Sequence, residues 1–549
     1  MPRLRLAAIL LCVCTCLAGR DPGWWRQAVF YELCPRSFQD SDGDGVGDLP
    51  GLIRRLEYLR DLGVDALWLT PCYPSGQVDF GYDVTDYRAI DPALGTLADF
   101  DRLVAEGRRR GIRIVLDLVL NHTSDQHPWF REARSSRASP RRDWSLWRDG
   151  REPGQPPCNW QSLFGGPAWT WDPATGQYYY HYFYAQQPDL NWRNPAVLKE
   201  MLEVTRWWYR RGAAGFRLDA VDNLLEDPRL ADNPLRPGRN PYGDPNMVNL
   251  NNFRLPEEHR LLRELRRAAD PFGAVLIGET YTASTAELKA YYGAGDELQL
   301  PTGHMLASLP ELDAPAFRRR IAEVEATGCW PVWVMGNHDL PRAASRYGAG
   351  RAPDAVAKLL GALVLTLRGT PILYYGEELG MVGHEPRRPE EVRDPMARRG
   401  WPLAVRRDGA RTPMQWESGP GAGFTRGTPW LTIPATATTH NVACERGDPG
   451  SVLSFYRQLL ALRRSHPALR DGDRQPLAPD DPQVLAFLRR AGDRRLLVAL
   501  NLSPRASPLN PVPPAEAARA KVLLASGVAV PVAGLPAELG PYGVLIAEL

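Results

Sequence analysis

The sequence predicts an α/β chain built as a (β/α)8 (TIM) barrel, with a subdomain inserted after the third strand and an antiparallel β-domain at the C-terminal end. Three observations lead there. From about Trp24 to Leu379, short near-continuous apolar runs alternate with longer amphipathic stretches, as buried parallel strands alternate with their crossover helices. Once, over 122–191, the alternation gives way to a segment crowded with Trp, Tyr, Pro and Gly, too long for an ordinary βα loop. Beyond residue 473 the apolar runs are separated by Pro/Gly-rich turns, the pattern of an antiparallel sheet.

Met1 to Gly19 carries Arg3 and Arg5, then an apolar run from Leu6 to Leu17, then Leu17-Ala18-Gly19. A basic start, a short apolar run and small residues after it predict a secretory signal peptide and an extracytoplasmic destination. Arg20 and Asp21 end the run too early for a membrane span, which needs about 20 apolar residues. The barrel is expected in two parts, 24–121 and 192–472, around the inserted subdomain of 122–191. Its strands are predicted at Ala28-Val-Phe-Tyr-Glu-Leu, Ala66-Leu-Trp-Leu, Ile112-Arg-Ile-Val-Leu-Asp-Leu-Val, Ala214-Gly-Phe-Arg-Leu-Asp, Ala274-Val-Leu-Ile-Gly-Glu, Trp330-Pro-Val-Trp-Val-Met and Pro371-Ile-Leu-Tyr-Tyr. The sixth strand, the least distinct, is expected within 297–305. Helices are expected at 52–62, 97–110, 197–211 and 257–269. In 473–549 strands are expected at 484–488, 495–502 and 542–547.

Composition excludes several classes. The 549 residues hold 66 basic and 64 acidic side chains, a formal charge of +2, which removes the electrostatic case for nucleic acid or an anionic membrane surface. Only Lys199, Lys289, Lys358 and Lys521 are lysine, and acidic residues interleave with the arginines throughout. Of the 8 cysteines, Cys12, Cys14 and Cys16 lie in the signal segment. Cys34, Cys72, Cys158, Cys329 and Cys444 are odd in number and widely spaced, which signals neither a disulfide framework nor a zinc site. Cys34 and Cys72, beside apolar runs, are expected as buried free thiols.

In a barrel of this kind chemistry belongs to the carboxyl ends of the strands. Reading those ends gives Asp117, Asn121 and His122 after the third, Arg217 and Asp219 at the fourth, Glu279 after the fifth, and His338 and Asp339 after the seventh. Several acids at separate exits are costly to bury without a use. Two carboxyl groups about 5–5.5 Å apart support double-displacement glycoside hydrolysis with retention. Arg217 lies two residues before Asp219, on the same strand face, and would hold it ionised as a nucleophile. Glu279 follows an apolar strand with no cation adjacent in sequence, which suits the raised pKa of a general acid.

These residues sit in ordered motifs: Asp117-Leu-Val-Leu-Asn-His122, Gln187-Pro-Asp-Leu-Asn191, Gly215-Phe-Arg-Leu-Asp-Ala-Val221, Gly278-Glu-Thr280, Gly336-Asn-His-Asp339 and Gly369-Thr-Pro-Ile-Leu-Tyr-Tyr-Gly-Glu377. With them the chain resembles glycoside hydrolase family 13, the α-amylase family, and within it the oligosaccharide-active α-glucosidases (maltase-like). The resemblance covers essentially everything after Trp24. It implies Asp219 as nucleophile, Glu279 as acid/base and Asp339 as the carboxylate that orients sugar hydroxyls in the transition state. It implies His122 and His338 as hydrogen-bonding partners of the first sugar, Arg217 as the group fixing the nucleophile, and Arg411 as a further contact near that subsite. In Gly81-Tyr82-Asp83 it implies that Tyr82 stacks on the ring and Asp83 binds its far hydroxyls. Among the aromatic residues of the insertion, most of which are expected to pack in their own core, it implies Phe164 as substrate-facing. Cys34 and Cys72 depart from the family's usual aromatic and aliphatic residues, away from the catalytic set.

A second motif, Asp40-Ser-Asp42-Gly-Asp44-Gly-Val-Gly-Asp48, alternates acids with glycines, which brings several oxygens around one hard cation. Gly51 stands where an EF-hand loop has its bidentate Glu, so this is not one. The resemblance implies a structural Ca2+ held by Asp40, Asp42, Asp44, the carbonyl of Val46 and Asp48, and no organic cofactor. Position 220, after the nucleophile, is Ala. In the family Val there accompanies α-1,6 bonds and smaller or polar residues accompany α-1,4, so the expected activity is exo-acting hydrolysis of terminal α-1,4-linked glucose from maltose and short malto-oligosaccharides. An α-1,6- or sucrose-active glucosidase and a transglycosylase on the same scaffold are the alternatives. A non-catalytic transporter heavy chain would need a membrane span and could lose the carboxylates, the reverse of what is found. The expected partners are small-molecule α-glucosides.

Overall fold

A computed structural model of the chain describes residues 23–348, 352–404 and 407–549. The signal segment, with Cys12, Cys14 and Cys16, lies outside the described residues. Eight parallel strands form one sheet: β1 (Phe30–Leu33), β2 (Ala66–Leu69), β3 (Arg113–Val119), β4 (Gly215–Asp219), β5 (Val275–Gly278), β6 (Leu300–Pro301), β7 (Val332–Trp333) and β8 (Thr370–Tyr374). Their spatial order is β6-β5-β4-β3-β2-β1-β8-β7. Pairing of β1 with β8, Phe30 opposite Ile372, curls the sheet round, and the two-residue strands β6 and β7 end the ladder. This is the predicted barrel.

The connecting helices include α1 (Leu49–Leu62), α2 (Leu97–Arg109), α3 (Pro195–Arg210), α4 (Glu258–Ala269), α5 (Ala314–Glu325) and α6 (Pro353–Thr366). Their ends are written in the sequence. Asp48 caps α1 by accepting the Gly51 N–H, and Gly63 at φ 104° closes it in the left-handed conformation that only glycine adopts without cost. Thr96 and Asp99 form a reciprocal capping box at α2. Between helices and sheet lies a continuous apolar layer that includes Leu56, Leu67, Leu116, Val204, Phe216 and Leu363. A second cluster of Phe30, Trp68, Val115, Val275, Ile277, Leu300 and Ile372 fills the barrel, with Trp24 and Trp25 packed against it.

The insertion contains a three-stranded antiparallel sheet of Trp147–Arg148, Gln177–Tyr180 and Trp169–Asp172. Its aromatic residues mostly pack on one another, as in the Trp160, Trp169, Tyr180 and Tyr182 cluster. The C-terminal domain is a five-stranded antiparallel sheet, β9 (Asp473–Leu477), β10 (Val484–Ala491), β11 (Arg494–Asn501), β12 (Lys521–Ser526) and β13 (Val544–Glu548), in the order β9-β10-β11-β13-β12. Sequence reading found β10, β11 and β13. It missed β9, which is polar and mostly exposed, and β12, whose short Val522–Ala525 run is largely half-buried. This domain docks through arginines. Arg489 donates to the carbonyls of Thr366 in α6 and Gly472, and Arg474 forks onto Glu325 of α5 at 2.6–2.9 Å. All five described cysteines are free, with Cys34, Cys72 and Cys158 buried.

Candidate active site

Residues of like parity along a strand share a face, and on the inward face of four strands the side chains turn from apolar to polar toward the exit. Phe30 is followed by Glu32, Val115 by Asp117, Gly215 by Arg217 and Asp219, and Ile277 by Glu279. Register then brings the polar members together: Asp117 lies opposite Arg217, and Gly278 opposite Leu218 sets Glu279 beside Asp219.

Arg217, 1% exposed, is the hub. Its Nη1 is 2.9 Å from Asp117 Oδ1 and 2.5 Å from Asp219 Oδ1, and its Nη2 is 2.6 Å from Glu279 Oε1. The expectation that Glu279 lacks a cation is therefore corrected: sequence adjacency could not show that Nη2 reaches across to the next strand. One guanidinium serves three acids. Burial pushes Asp219 well above the ordinary carboxylate range, with Arg217 opposing and Glu279 and Asp117 adding to the rise. Burial likewise pushes Asp117 up to about 6 against the pull of Arg217. Glu279 also accepts the Ala220 N–H at 2.9 Å and the Tyr281 hydroxyl at 3.1 Å.

The Tyr82 hydroxyl donates to Asp117 Oδ2 at 3.1 Å and lies 2.5 Å from His338 Nε2, and the two rings stack at 5.4 Å. His338 Nδ1 is 2.7 Å from Glu32 Oε1. Burial keeps His338 well below its ordinary pKa and lowers His122 to about 4. Asp339 differs from Asp117 and Asp219. Burial pushes it up, but His338, Arg411 and Arg407 beside it outweigh that and hold it below the ordinary range. Arg411 Nη2 meets Asp339 Oδ1 at 2.8 Å, and its Nε donates to the His338 carbonyl at 2.9 Å.

A cavity of about 400 Å³ opens here, lined by Tyr82, His122, Phe164, Asp219, Glu279 and Asp339 among the expected residues. Arg217, His338 and Arg411 stand behind this wall and position it. Asp83 is a correction. Fully buried, it accepts the Ser75 hydroxyl and the Val78 and Asp79 N–H groups, and so stiffens its own loop without lining the cavity. Asp79, four residues earlier, takes the cavity position, with Arg407 Nη2 at 2.7 Å from its carboxylate and 2.8 Å from that of Asp394. Sequence reading missed Asp79 and Arg407, and also Glu32 and Asp222. Glu32 had a signal, an acid at an inward position of an apolar strand. For Asp79 the only signal was proximity to Tyr82.

In the acidic loop, oxygens of Asp40, Asp42 and Asp48 lie within 4.8 Å of one another. Carboxylates this close suit a hard divalent ion. Asp44 is outside this group, its Oδ1 accepting the Val46 N–H at 2.7 Å. Gly45 has no room for a side chain, since a Cβ there would meet the Thr428 carbonyl, and Thr425 donates to Asp40 from that same segment.

The alpha amylase catalytic domain model matches residues 32–472, and the maltogenic amylase C-terminal domain model matches 475–546. The chain belongs to glycoside hydrolase family 13, the α-amylase family. This family-13 enzyme is 42% identical over 505 residues to a probable alpha-glucosidase of Rhizobium meliloti (strain 1021), covering 89% of this chain and 91% of that protein. It is 37% identical over 522 residues to an oligo-1,6-glucosidase of Parageobacillus thermoglucosidasius, covering 87% and 90%. Among solved structures, the trehalulose synthase MutB of Pseudomonas mesoacidophila MX-45 superimposes with a TM-score of 0.87 at 37% identity, covering 96% of this family-13 enzyme and 99% of that chain.

Proposed function

We propose that this enzyme is a retaining, exo-acting α-glucosidase that releases terminal α-1,4-linked glucose from maltose and short malto-oligosaccharides. The observation that carries the reading is the form of the cavity. Asp219 and Glu279 share Arg217, and Asp79 with Arg407 lines the same cavity as a buried charged pair held by Asp394. We read that buried pair as a blind end, which would admit one terminal ring and refuse the interior of a chain.

In the proposed reaction Asp219 attacks the anomeric carbon while Glu279 gives its proton to the departing oxygen. Glu279 then takes a proton from water, which displaces the Asp219 ester and restores the α configuration. Asp339, held ionised, receives sugar hydroxyls, and Asp79 with Arg407 binds the hydroxyls farthest from the scissile bond. The linkage preference rests on Ala220, whose methyl lines the cavity where its N–H meets Glu279. A Val there would add two methyls to the aglycone side.

Product analysis tests both parts. The wild-type enzyme is expected to release α-glucose from maltose and little from isomaltose, and Ala220→Val to lower the maltose-to-isomaltose rate ratio by about tenfold, the scale of one or two methyl groups in a substrate pocket. Equal initial rates on both disaccharides would overturn the linkage assignment, and β-glucose as first product would overturn retention.

We also propose that Asp40, Asp42 and Asp48 hold a structural Ca2+, which would neutralise three converging carboxylates remote from the reaction. The extracytoplasmic location proposed from Arg3, Arg5 and the Leu6–Leu17 run is tested by N-terminal sequencing of the mature protein from the culture fluid.

A further inference from the structure

The cavity changes character from its depth to its mouth. The charged lining residues Asp79, Asp219, Glu279 and Arg407 are buried. Those that reach solvent alongside Asp339 are Leu163, Phe183, Phe253, Tyr281, Leu340 and Met396. Leu163 and Tyr281 are 49% and 45% exposed. These six come from five separate segments: the insertion and the loops after β4, β5, β7 and β8. Apolar groups left in water at a rim, from so many directions, mark a surface that is completed by a ligand.

Polar groups beside them are already engaged. Asp222 accepts the Tyr291 hydroxyl, Arg254 Nε at 3.1 Å and the Tyr281 N–H at 3.1 Å. Asn223 points its amide at the Asn252 carbonyl. Among the described residues lining the cavity, Arg407 is the single arginine or lysine, and it is committed to Asp79 and Asp394. A second sugar brings hydroxyls that need partners when they leave water, and a sugar phosphate brings charge that needs a cation. This mouth supplies little of either.

We propose that the aglycone site is built for apolar leaving groups, alkyl or aryl, and that the enzyme ranks α-glucosides by the apolar surface of the aglycone. Maltose binds there through the C–H face of its second ring. The inference rests on the α-glucosidase reading and refines its substrate class.

The test is a series of n-alkyl α-glucosides from ethyl to hexyl, in which leaving-group acidity is nearly constant and only apolar contact grows. A fully buried methylene contributes about fourfold, and partial burial at this mouth is expected to raise kcat/KM by at least about tenfold across the series. Leu163→Ser and Met396→Ser are expected to flatten that slope, and trehalose 6-phosphate to be turned over no faster than trehalose. A slope near zero with glucose still released from maltose overturns the inference and leaves the glucosidase reading standing. No glucose from maltose or from any alkyl glucoside overturns the underlying reading itself. A slope that both variants leave intact, or a preference for the phosphorylated disaccharide, also counts against the assignment.

Discussion

Arg217 makes the proton inventory of this site unequal. One guanidinium faces Asp117, Asp219 and Glu279. Burial raises Asp117 and Asp219 against the pull of that one cation, and a hydrolase of this kind needs one acid protonated while its neighbour attacks. Asp219→Ala is expected to lower kcat by on the order of 10⁴-fold, with azide restoring turnover and yielding the β-glucosyl azide. An untouched rate in that variant would remove Asp219 from the mechanism. Arg407 gives a different prediction, because on the proposed reading it would hold substrate without reacting. Arg407→Gln leaves Asp79 and Asp394 buried without their cation, and loss of one partner of a buried pair costs about 3–5 kcal/mol. Chemical denaturation should show that loss, and steady-state kinetics should show KM rising more than kcat falls.

At the level of elements, the exit of β8 carries a buried titration. Burial raises Glu377 to about 8 from an ordinary 4.5, with Oε2 accepting the Tyr374 N–H and Oε1 without a partner. The unfolded chain releases this proton first, so between pH 4.5 and 8 the unfolded state binds fewer protons. Stability accordingly falls as pH rises through that window and levels off above it. Glu377→Gln is expected to remove that part of the decline, which unfolding measured at pH 5, 6, 7 and 8 would reveal as a shallower slope. Elements of this kind show how far the sequence could be read. β1 to β5, β7 and β8 were legible as near-continuous apolar runs, several of them ending in acids, and six motifs in order named the family. β6 is two residues long, too short for periodicity to mark. In the loop Asp79-Phe-Gly-Tyr-Asp83, both acids sit within reach of Tyr82, and only the turn's path decides that Asp79 faces the cavity while Asp83 ties the loop. The same limit hid the reach of Arg217 to Glu279, a contact between neighbouring strands that spacing along one strand does not encode.

Across the whole molecule, two attachments outside the catalytic centre hold the parts in register. The acidic loop is clasped by the segment that follows Arg411, through Thr425 to Asp40 and the Gly45 carbonyl to the Trp430 N–H at 3.0 Å. Chelation should thus lower the thermal midpoint by a few degrees, since a ligand bound only to the native state stabilises it by mass action. Asp42→Asn should abolish the dependence on added Ca2+, and a midpoint indifferent to chelator would count against the site. The C-terminal domain is fastened by Arg489 and Arg474 to the ends of α6 and α5. Arg489→Ala strands the Thr366 and Gly472 carbonyls and is expected to cost about 1–3 kcal/mol per carbonyl left unpaired, read as a lower unfolding midpoint. The exo-acting reading proposed above has a consequence at a larger scale. An enzyme that accepts only a terminal ring cannot sense how long its substrate is. At equal mass, a heavily branched glucan would be shortened faster than a linear one, and each linear chain would lose glucose at a steady rate until it was nearly gone. On that reading, what this protein measures is the number of chain ends in solution.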